Sequence, residues 1–273
     1  AKRLRAAAGQ LSLREPWAVV LSVPGVVDES AGRVLLSPNL HWTERADVTQ
    51  LVSDVWRAPV HMVQEIRALA MGQLAAAPGM GDFLLVDFGA GVGGALVRHG
   101  RVYDAPLALS GELGHTPVAG NDRVCGCGAV GCVETLASRD GLLASLAAQR
   151  GVRRGGWRQL VGHVQKHGVE PWLAEALDAA GTTIGGALNV VGVRHVVVTG
   201  SLTELPATVM SHLGEAVERA AMWARFGQVV CTAAPRRRAA GLTAAAIDQV
   251  ILPRTDTMAA LADTIDTVGS AGP

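Results

Sequence analysis

The sequence predicts an α/β fold, because short apolar segments typical of buried strands alternate with segments typical of amphipathic helices. Phe83–Phe88 is the clearest strand, and Val196–Thr199 is a second short run of mostly β-branched residues. Asp47–Trp56 is the clearest helix, since its Val and Leu side chains recur on one face.

Length and composition limit the kind of protein this chain can be. Its 273 residues are 49% hydrophobic and 18% charged, which supplies enough apolar material for a packed core. Lys and Arg total 24 and so do Asp and Glu, so the net charge is zero and no dedicated nucleic-acid-binding domain is expected. No apolar run approaches the roughly 20 residues of a membrane span, so we expect no membrane partner.

The N-terminal part of the chain carries two further strand and helix patterns. Trp17–Val23 reads as a buried strand that stops at Pro24. Pro59–Val63 reads as a short strand, and Glu65–Ala77 follows it as a helix that ends before Pro78. This order of elements supports the α/β prediction.

The C-terminal part continues the alternation. A hairpin is predicted over 95–103, and Ala- and Leu-rich helices over 135–190. A helix over 213–223, a strand over 228–232 and a last helix over 241–252 complete the series.

A glycine-rich turn follows the strongest strand. Gly89, Gly91 and Gly94 match the G-x-G-x-x-G pattern, but a second strand and not a helix is predicted after them, which excludes a Rossmann dinucleotide site. Gly93 also belongs to this turn. Its backbone N–H groups could bind a phosphate, or the glycines could simply permit a tight turn, and the sequence favours neither. The chain has no P-loop motif.

Three of the four cysteines lie within eight residues, together with a nearby histidine. His115, Cys125, Cys127 and Cys132 offer one imidazole and three thiolates, a closed tetrahedral set suited to Zn²⁺. Four protein ligands leave no position for water, so the predicted metal is structural. Cys231 stands alone in an apolar strand and is predicted to be a core residue. This cysteine usage indicates a reducing compartment, so we expect a cytoplasmic protein.

Several of these segments together resemble the signature of the ROK family, a group of repressors, open reading frames and sugar kinases. The resemblance extends to the glycine turn and, more loosely, to Val198–Ser201. It rests mainly on five segments: Gly111–His115, Cys125–Gly128, Gly131–Glu134, Val23–Asp28 and Ser37–Leu40.

The resemblance implies an actin-like (ribonuclease-H-like) ATPase and sugar kinase fold, with two domains, a cleft between them and a zinc loop. Residues 1–78 would be the remainder of a smaller N-terminal domain, and 79–252 a larger domain with the zinc loop. The tail at 253–273 is rich in Thr, Asp, Ala and Gly, and we expect it to be partly disordered. Because the first residue is Ala1, we expect an N-terminally truncated chain.

The resemblance also implies a sugar site in that cleft. Carboxylates accept hydrogen bonds from sugar hydroxyls, and an amide offers both donors and an acceptor. His115 could bind zinc through one ring nitrogen and contact the sugar through the other. The implied sugar-binding residues are Gly25, Asn39, Gln64, Glu112, His115 and Glu134.

The kinase elements of the family pattern are altered in this chain. Glu65 stands where family kinases carry an Asp that acts as the base, and Gln64 and Arg67 replace the flanking Asn residues. A base must approach its proton closely, so the longer Glu65 could impair transfer, and Arg67 could pair with Glu65 or another carboxylate. Ala90 replaces a Thr in the phosphate turn. The family's Asp-x-Gly-x-Thr hairpin is absent from the residues preceding Trp17.

Three functions remain open, and the leading one is a sugar-responsive transcriptional regulator of the ROK type with a degraded kinase site. Its ligand would be a hexose or N-acetylhexosamine, and it would contact DNA only through an N-terminal domain outside this chain. The alternative is an ATP- and Mg²⁺-dependent hexose kinase with Glu65 as base. A third possibility is an interaction protein without a ligand. A homo-oligomer is expected from the resemblance alone.

Two clusters of basic residues are predicted to be solvated. Arg236, Arg237 and Arg238 could form a phosphate or partner patch, but a run this short is usually a solvated face. His163 and His167 are four residues apart on a predicted helix, but no carboxylate partner is evident, so they are predicted to be surface histidines.

Overall fold

The computed structural model describes residues 16–105, 110–153 and 155–252, together with Arg5, Ala6 and Gly9. The predicted disorder of the tail at 253–273 concerns residues outside this described part. Within it, strands and helices alternate along the chain, as the sequence predicts.

The first elements form two small sheets and three helices. A parallel pair joins β1 (Val19–Val23) to β4 (Val60–Gln64), and an antiparallel pair joins β2 (Val26–Asp28) to β3 (Arg33–Leu36). The helices are α1 (Trp42–Arg45), α2 (Val48–Trp56) and α3 (Glu65–Ala76). Asp47 caps α2 because its side chain accepts the Gln50 backbone N–H at 2.8 Å.

A five-stranded sheet forms the larger part of the molecule, with strand order β7-β6-β5-β8-β9. β5 pairs antiparallel with β6 and parallel with β8, and β9 extends the parallel side. The predicted hairpin joins β6 to β7 through His99 and Gly100, which both have positive φ. The strands are β5 (Phe83–Phe88), β6 (Val92–Arg98), β7 (Arg101–Val102), β8 (His195–Gly200) and β9 (Val230–Ala233).

Helices cover both faces of this sheet. Leu84, Val86 and Phe88 point to one face and join the main core, and Leu85 points to the other, where it packs with Ile66 of α3. This alternation is the two-residue period of a strand buried on both sides. The remaining helices are α4 (Glu134–Ala137), α5 (Arg139–Arg150), α6 (Trp157–His167), α7 (Pro171–Val191), α8 (Ala207–Ala220) and α9 (Arg238–Ala246).

The last two helices begin earlier than the sequence predicts. The helix expected over 213–223 begins earlier, at Ala207 directly after Pro206, and gives way at Met222–Arg225 to a 3₁₀ turn. Proline suits a helix start for two reasons. Its fixed φ is compatible with the helix, and no intrahelical hydrogen bond needs an N–H donor there. The last helix begins at Arg238, three residues earlier than expected, and continues after Ala246 as a π-helical turn.

Candidate functional site

A cleft of about 440 Å³ opens at the carboxyl ends of the parallel strands β5 and β8. Ligands of open α/β sheets commonly bind at this edge. Most of the predicted site residues line it: Gly25, Asn39, Gln64, Glu65, Gly89, Gly91, Gly93, Glu112, His115 and Glu134.

Gln64 connects two separate loops of the cleft wall. It is the last residue of β4 and is buried. Its side-chain Nε2 donates to the Gly25 carbonyl oxygen at 2.9 Å and to Glu112 Oε1 at 3.2 Å. The amide therefore fixes the position of a carboxylate that faces the cleft.

Two carboxylates and a histidine lie together on this wall. Glu134 accepts the Val92 backbone N–H at 2.9 Å, and His115 Nε2 lies 3.6 Å from Glu112 Oε2. Burial raises the pKa of Glu112, an effect that the His115 charge opposes and the nearby Glu134 reinforces. These groups form a compact set of hydrogen-bond acceptors of the kind that binds hydroxyl groups.

His115 also belongs to the predicted metal cluster. Its possible ligand atom and the three cysteine sulfurs all lie within 4.8 Å of one another. The Cys127 and Cys132 sulfurs are 3.7 Å apart, and Cys125 Sγ is 3.6 Å from His115 Nδ1. A tetrahedron with zinc–sulfur bonds of about 2.3 Å has edges of about 3.8 Å, so the four donors fit Zn²⁺.

Glycines let the metal loop and the glycine turn approach the cleft closely. A Cβ on Gly126 would lie 2.7 Å from the Pro38 carbonyl oxygen, next to Asn39. A Cβ on Gly91 would lie 2.6 Å from Glu134 Oε2 and 3.2 Å from Asn39 Nδ2. The absence of these side chains therefore allows Asn39 and Glu134 to face the same space.

Two arginine–carboxylate pairs lie elsewhere on the cleft wall. Arg236 binds Asp87 in a bidentate manner, at 2.6 Å from Nε to Oδ1 and 2.7 Å from Nη2 to Oδ2. Arg238 pairs with Glu65 Oε1, at 2.9 Å from Nε and 2.8 Å from Nη2. Burial of Arg236 disfavours its charge, but the Asp87 hydrogen bonds and charge outweigh this, so its pKa is raised.

The glycine turn differs in part from its prediction. β6 begins at Val92, so Gly93 and Gly94 belong to a strand and not to the turn. Gly94 lies away from the cleft, because its N–H donates to the Gly111 carbonyl oxygen at 2.7 Å and Leu113 packs over it. Its grouping with phosphate-binding glycines stays a prediction. The Gly89 N–H is also occupied, since it donates to the Gly91 carbonyl oxygen at 2.7 Å.

The prediction of a solvated arginine run is wrong for Arg236, whose side chain is only 23% exposed and binds Asp87. Arg238 is exposed, as predicted, and also lines the cleft. The sequence signal that could have identified them is their position directly after β9, at the same sheet edge as Asp87. Arg67 does not pair with Glu65. It lies 3.0 Å from Glu29 instead and is buried.

The prediction for His163 is also wrong. Its side chain is only 14% exposed, and its Nε2 lies 2.5 Å from Glu170 Oε2. His167 stacks on it with ring centroids 4.5 Å apart. Glu170 is seven residues away, beyond the end of α6, so the helical spacing of three or four residues does not reveal it.

Comparison with known proteins assigns the family. A model of the ROK family matches residues 6–249. The chain belongs to the ROK family. A ROK hexokinase from Thermus thermophilus has a similar structure, with a TM-score of 0.71 at 24% identity over 90% of this chain and 84% of that one. The fold is therefore the actin-like α/β fold of ROK proteins.

Relatives of this ROK chain differ in their named roles. A xylose repressor from Caldicellulosiruptor bescii is 31% identical over 126 residues, which cover 45% of this chain and 31% of that protein. A glucokinase from Halalkalibacterium halodurans is 30% identical over 174 residues, which cover 63% of this chain and 52% of that protein. The matches thus span about a third to a half of these relatives. Across the described residues, none of the helices has the length and apolarity that crossing a membrane requires.

Proposed function

We propose that this ROK chain is the sugar-binding part of a transcriptional regulator, and that its kinase chemistry is lost. The ligand is a neutral monosaccharide, a hexose or N-acetylhexosamine, bound by the cleft wall around Glu112. In the whole protein a separate N-terminal segment would contact DNA. The boundary between the two domains of this part would fall near residue 78, so that sugar binding favours one arrangement of the cleft.

The ion pair between Glu65 and Arg238 is the observation that carries this proposal. A general base needs a free lone pair within hydrogen-bond reach of its proton. Arg238 Nε donates to Glu65 Oε1, and Nη2 lies 2.8 Å from the same oxygen. This pairing turns Oε1 toward Arg238 at the position where a kinase needs an unpaired base.

The residues that are predicted to bind sugar, by contrast, face the same part of the cleft. Gln64 orients Glu112, and the small Gly91 gives Asn39 and Glu134 access. Each carboxylate can accept hydrogen bonds from hydroxyl groups without proton transfer. Binding therefore requires only residues that this chain has.

We also propose that His115, Cys125, Cys127 and Cys132 hold a structural Zn²⁺. The ion would bind the thiolates and His115 Nδ1, which leaves Nε2 directed at Glu112. This arrangement would fix the histidine ring relative to the sugar wall. The metal would supply stability and orientation, and no chemical step is assigned to it.

Calorimetry on the protein with a panel of monosaccharides tests the proposal. The panel contains glucose, mannose, N-acetylglucosamine, N-acetylmannosamine and xylose, the last because a relative is named a xylose repressor. We expect one sugar to bind, and Glu112→Ala to weaken it by about 10- to 100-fold, as expected for a charged hydrogen-bond partner. Glu175→Ala, on the exposed face of α7, is the control. Absence of binding across the panel would contradict the proposal.

An ATP-dependent hexose kinase is the second candidate, supported by the glucokinase relative and by the presence of Glu65 on the cleft wall. Sugar-dependent ADP release by the purified protein, abolished in Glu65→Gln, would favour it. No ADP release from a preparation that binds sugar would favour the regulator.

A further inference from the structure

The Arg236 guanidinium lies between two glycines from different loops. A Cβ on Gly89 would overlap Arg236 Nη2, and a Cβ on Gly200 would lie 2.7 Å from the same atom. Gly89 follows β5 and Gly200 ends β8, so the guanidinium fills the gap between the two strand ends. Glycines at this edge of a sheet commonly let a phosphate group approach the backbone. Here the guanidinium takes that space.

The same guanidinium neutralises the carboxylate at this position. Asp87 receives two hydrogen bonds from Arg236 and a third from Thr199 Oγ1 at 2.7 Å. An aspartate beside a phosphate site normally serves a hard cation such as Mg²⁺, which prefers oxygen ligands. Here the bidentate arginine pair takes both carboxylate oxygens, and the Asp87 side chain is only 14% exposed.

We propose that Arg236 acts as a built-in cation that fills the space between Gly89 and Gly200 and excludes metal-bound nucleotide from the cleft. The guanidinium replaces the Mg²⁺ at Asp87 and occupies the volume of a phosphate group. The cleft consequently binds a sugar without a nucleotide. This inference deepens the proposed function and rests on it for the sugar, but not for the exclusion of nucleotide.

The wall around the guanidinium carries charges of both signs. Arg139 and Arg238 line the cleft beside Arg236, together with five carboxylates, those of Glu65, Asp87, Glu112, Glu134 and Glu204. The Asp87 and Glu65 carboxylates are paired with Arg236 and Arg238. Removal of the guanidinium together with the Asp87 charge should therefore admit a nucleotide.

Titration calorimetry with MgADP tests this on the parent protein, Arg236→Ala and the double variant Asp87→Asn/Arg236→Ala. The single variant leaves Asp87 unpaired, which can prevent folding, whereas the double variant removes both partners. Arg219→Ala removes an arginine that pairs with Asp178 outside the cleft, at 2.6 Å, and is the matched control. Circular dichroism confirms that each variant is folded.

We expect no heat from MgADP with the parent or with Arg219→Ala at millimolar nucleotide. At least one folded Arg236 variant should bind MgADP about tenfold or more tightly than the weakest binding that the titration detects. This factor corresponds to about 1.4 kcal/mol. MgADP binding to the parent would overturn the proposal, and so would folded Arg236 variants that gain no affinity. The sugar titrations are separate, so a failure of sugar binding overturns the proposed function and leaves this comparison valid.

Discussion

His115 Nε2 lies 3.6 Å from Glu112 Oε2, while the Nδ1 atom of the same ring lies 3.6 Å from Cys125 Sγ. One imidazole thus connects the cysteine cluster to the wall of the cleft. The two nitrogens of a histidine ring are fixed relative to each other, so anything that holds one of them orients the other. Occupancy of the metal site and affinity in the cleft should therefore be linked.

Removal of the metal should lower both stability and sugar affinity. We expect about one zinc ion per chain, since the cluster supplies four donors for a single tetrahedral site. Cys127→Ser or a strong chelator should release it, lower the melting temperature and weaken sugar binding, as measured by metal analysis, thermal unfolding and calorimetry. Cys231→Ser, at a cysteine outside the cluster, is the control for zinc content and sugar affinity. Sugar affinity that is identical with and without zinc would contradict the link.

Gln64→Ala should weaken the sugar site while leaving the protein folded. The amide makes two side-chain hydrogen bonds, to the Gly25 carbonyl and to Glu112. Their loss should cost about 1–2 kcal/mol of stability and weaken sugar binding by roughly tenfold, because Glu112 is no longer held in place. Calorimetry and thermal unfolding measure the two effects. As a control, Gln50→Ala should leave affinity unchanged, since the exposed Gln50 side chain donates to Asp54 on the surface.

The Cys/His cluster could be predicted from the sequence because its possible metal ligands are close along the chain. His115 and Cys132 are separated by 17 positions, within one loop. The bounds of β5 can likewise be predicted from a local pattern, a short apolar run. Arg236 and Asp87 are 149 positions apart, and their pairing depends on the parallel alignment of β5, β8 and β9. No local pattern encodes such a contact, so the sequence alone favours a solvated run.

Two neighbouring glycines of α7 should respond in opposite ways to the same substitution. A Cβ on Gly185 would lie 2.5 Å from Ala220 Cβ of α8, so Gly185→Ala should destabilise the packed pair by about 1–3 kcal/mol. Gly186 has no atom within 4 Å of such a Cβ, so Gly186→Ala should stabilise the helix by about 1 kcal/mol. Chemical denaturation compares the two. A stabilising Gly185→Ala would show that α7 and α8 can separate without cost.

The charge of Glu170 should make the stability of the protein depend on pH. Its side chain accepts the Trp172 indole N–H at 3.1 Å and faces His163, and these hydrogen bonds, chiefly the one from Trp172, hold the pKa of Glu170 below its ordinary 4.5. A carboxyl whose pKa is lowered by folding stabilises the folded state above its ordinary pKa, and this contribution disappears as the pH falls through the lowered value. The stabilisation should therefore be complete at pH 7 and lost progressively below about pH 4.5.

Thermal unfolding of the parent and of Glu170→Gln between pH 7 and pH 3 measures this loss. The parent should melt higher at pH 7, and the difference should shrink below pH 4.5, since the neutral Gln lacks the titrating charge. Acid also protonates zinc ligands, but that effect is common to both proteins and cancels in the difference. Glu175→Gln, on the same helix but exposed, should follow the parent at every pH. A difference that stays constant from pH 7 to pH 3 would show that the Glu170 charge contributes nothing, and that the contact with Trp172 and His163 acts by packing alone.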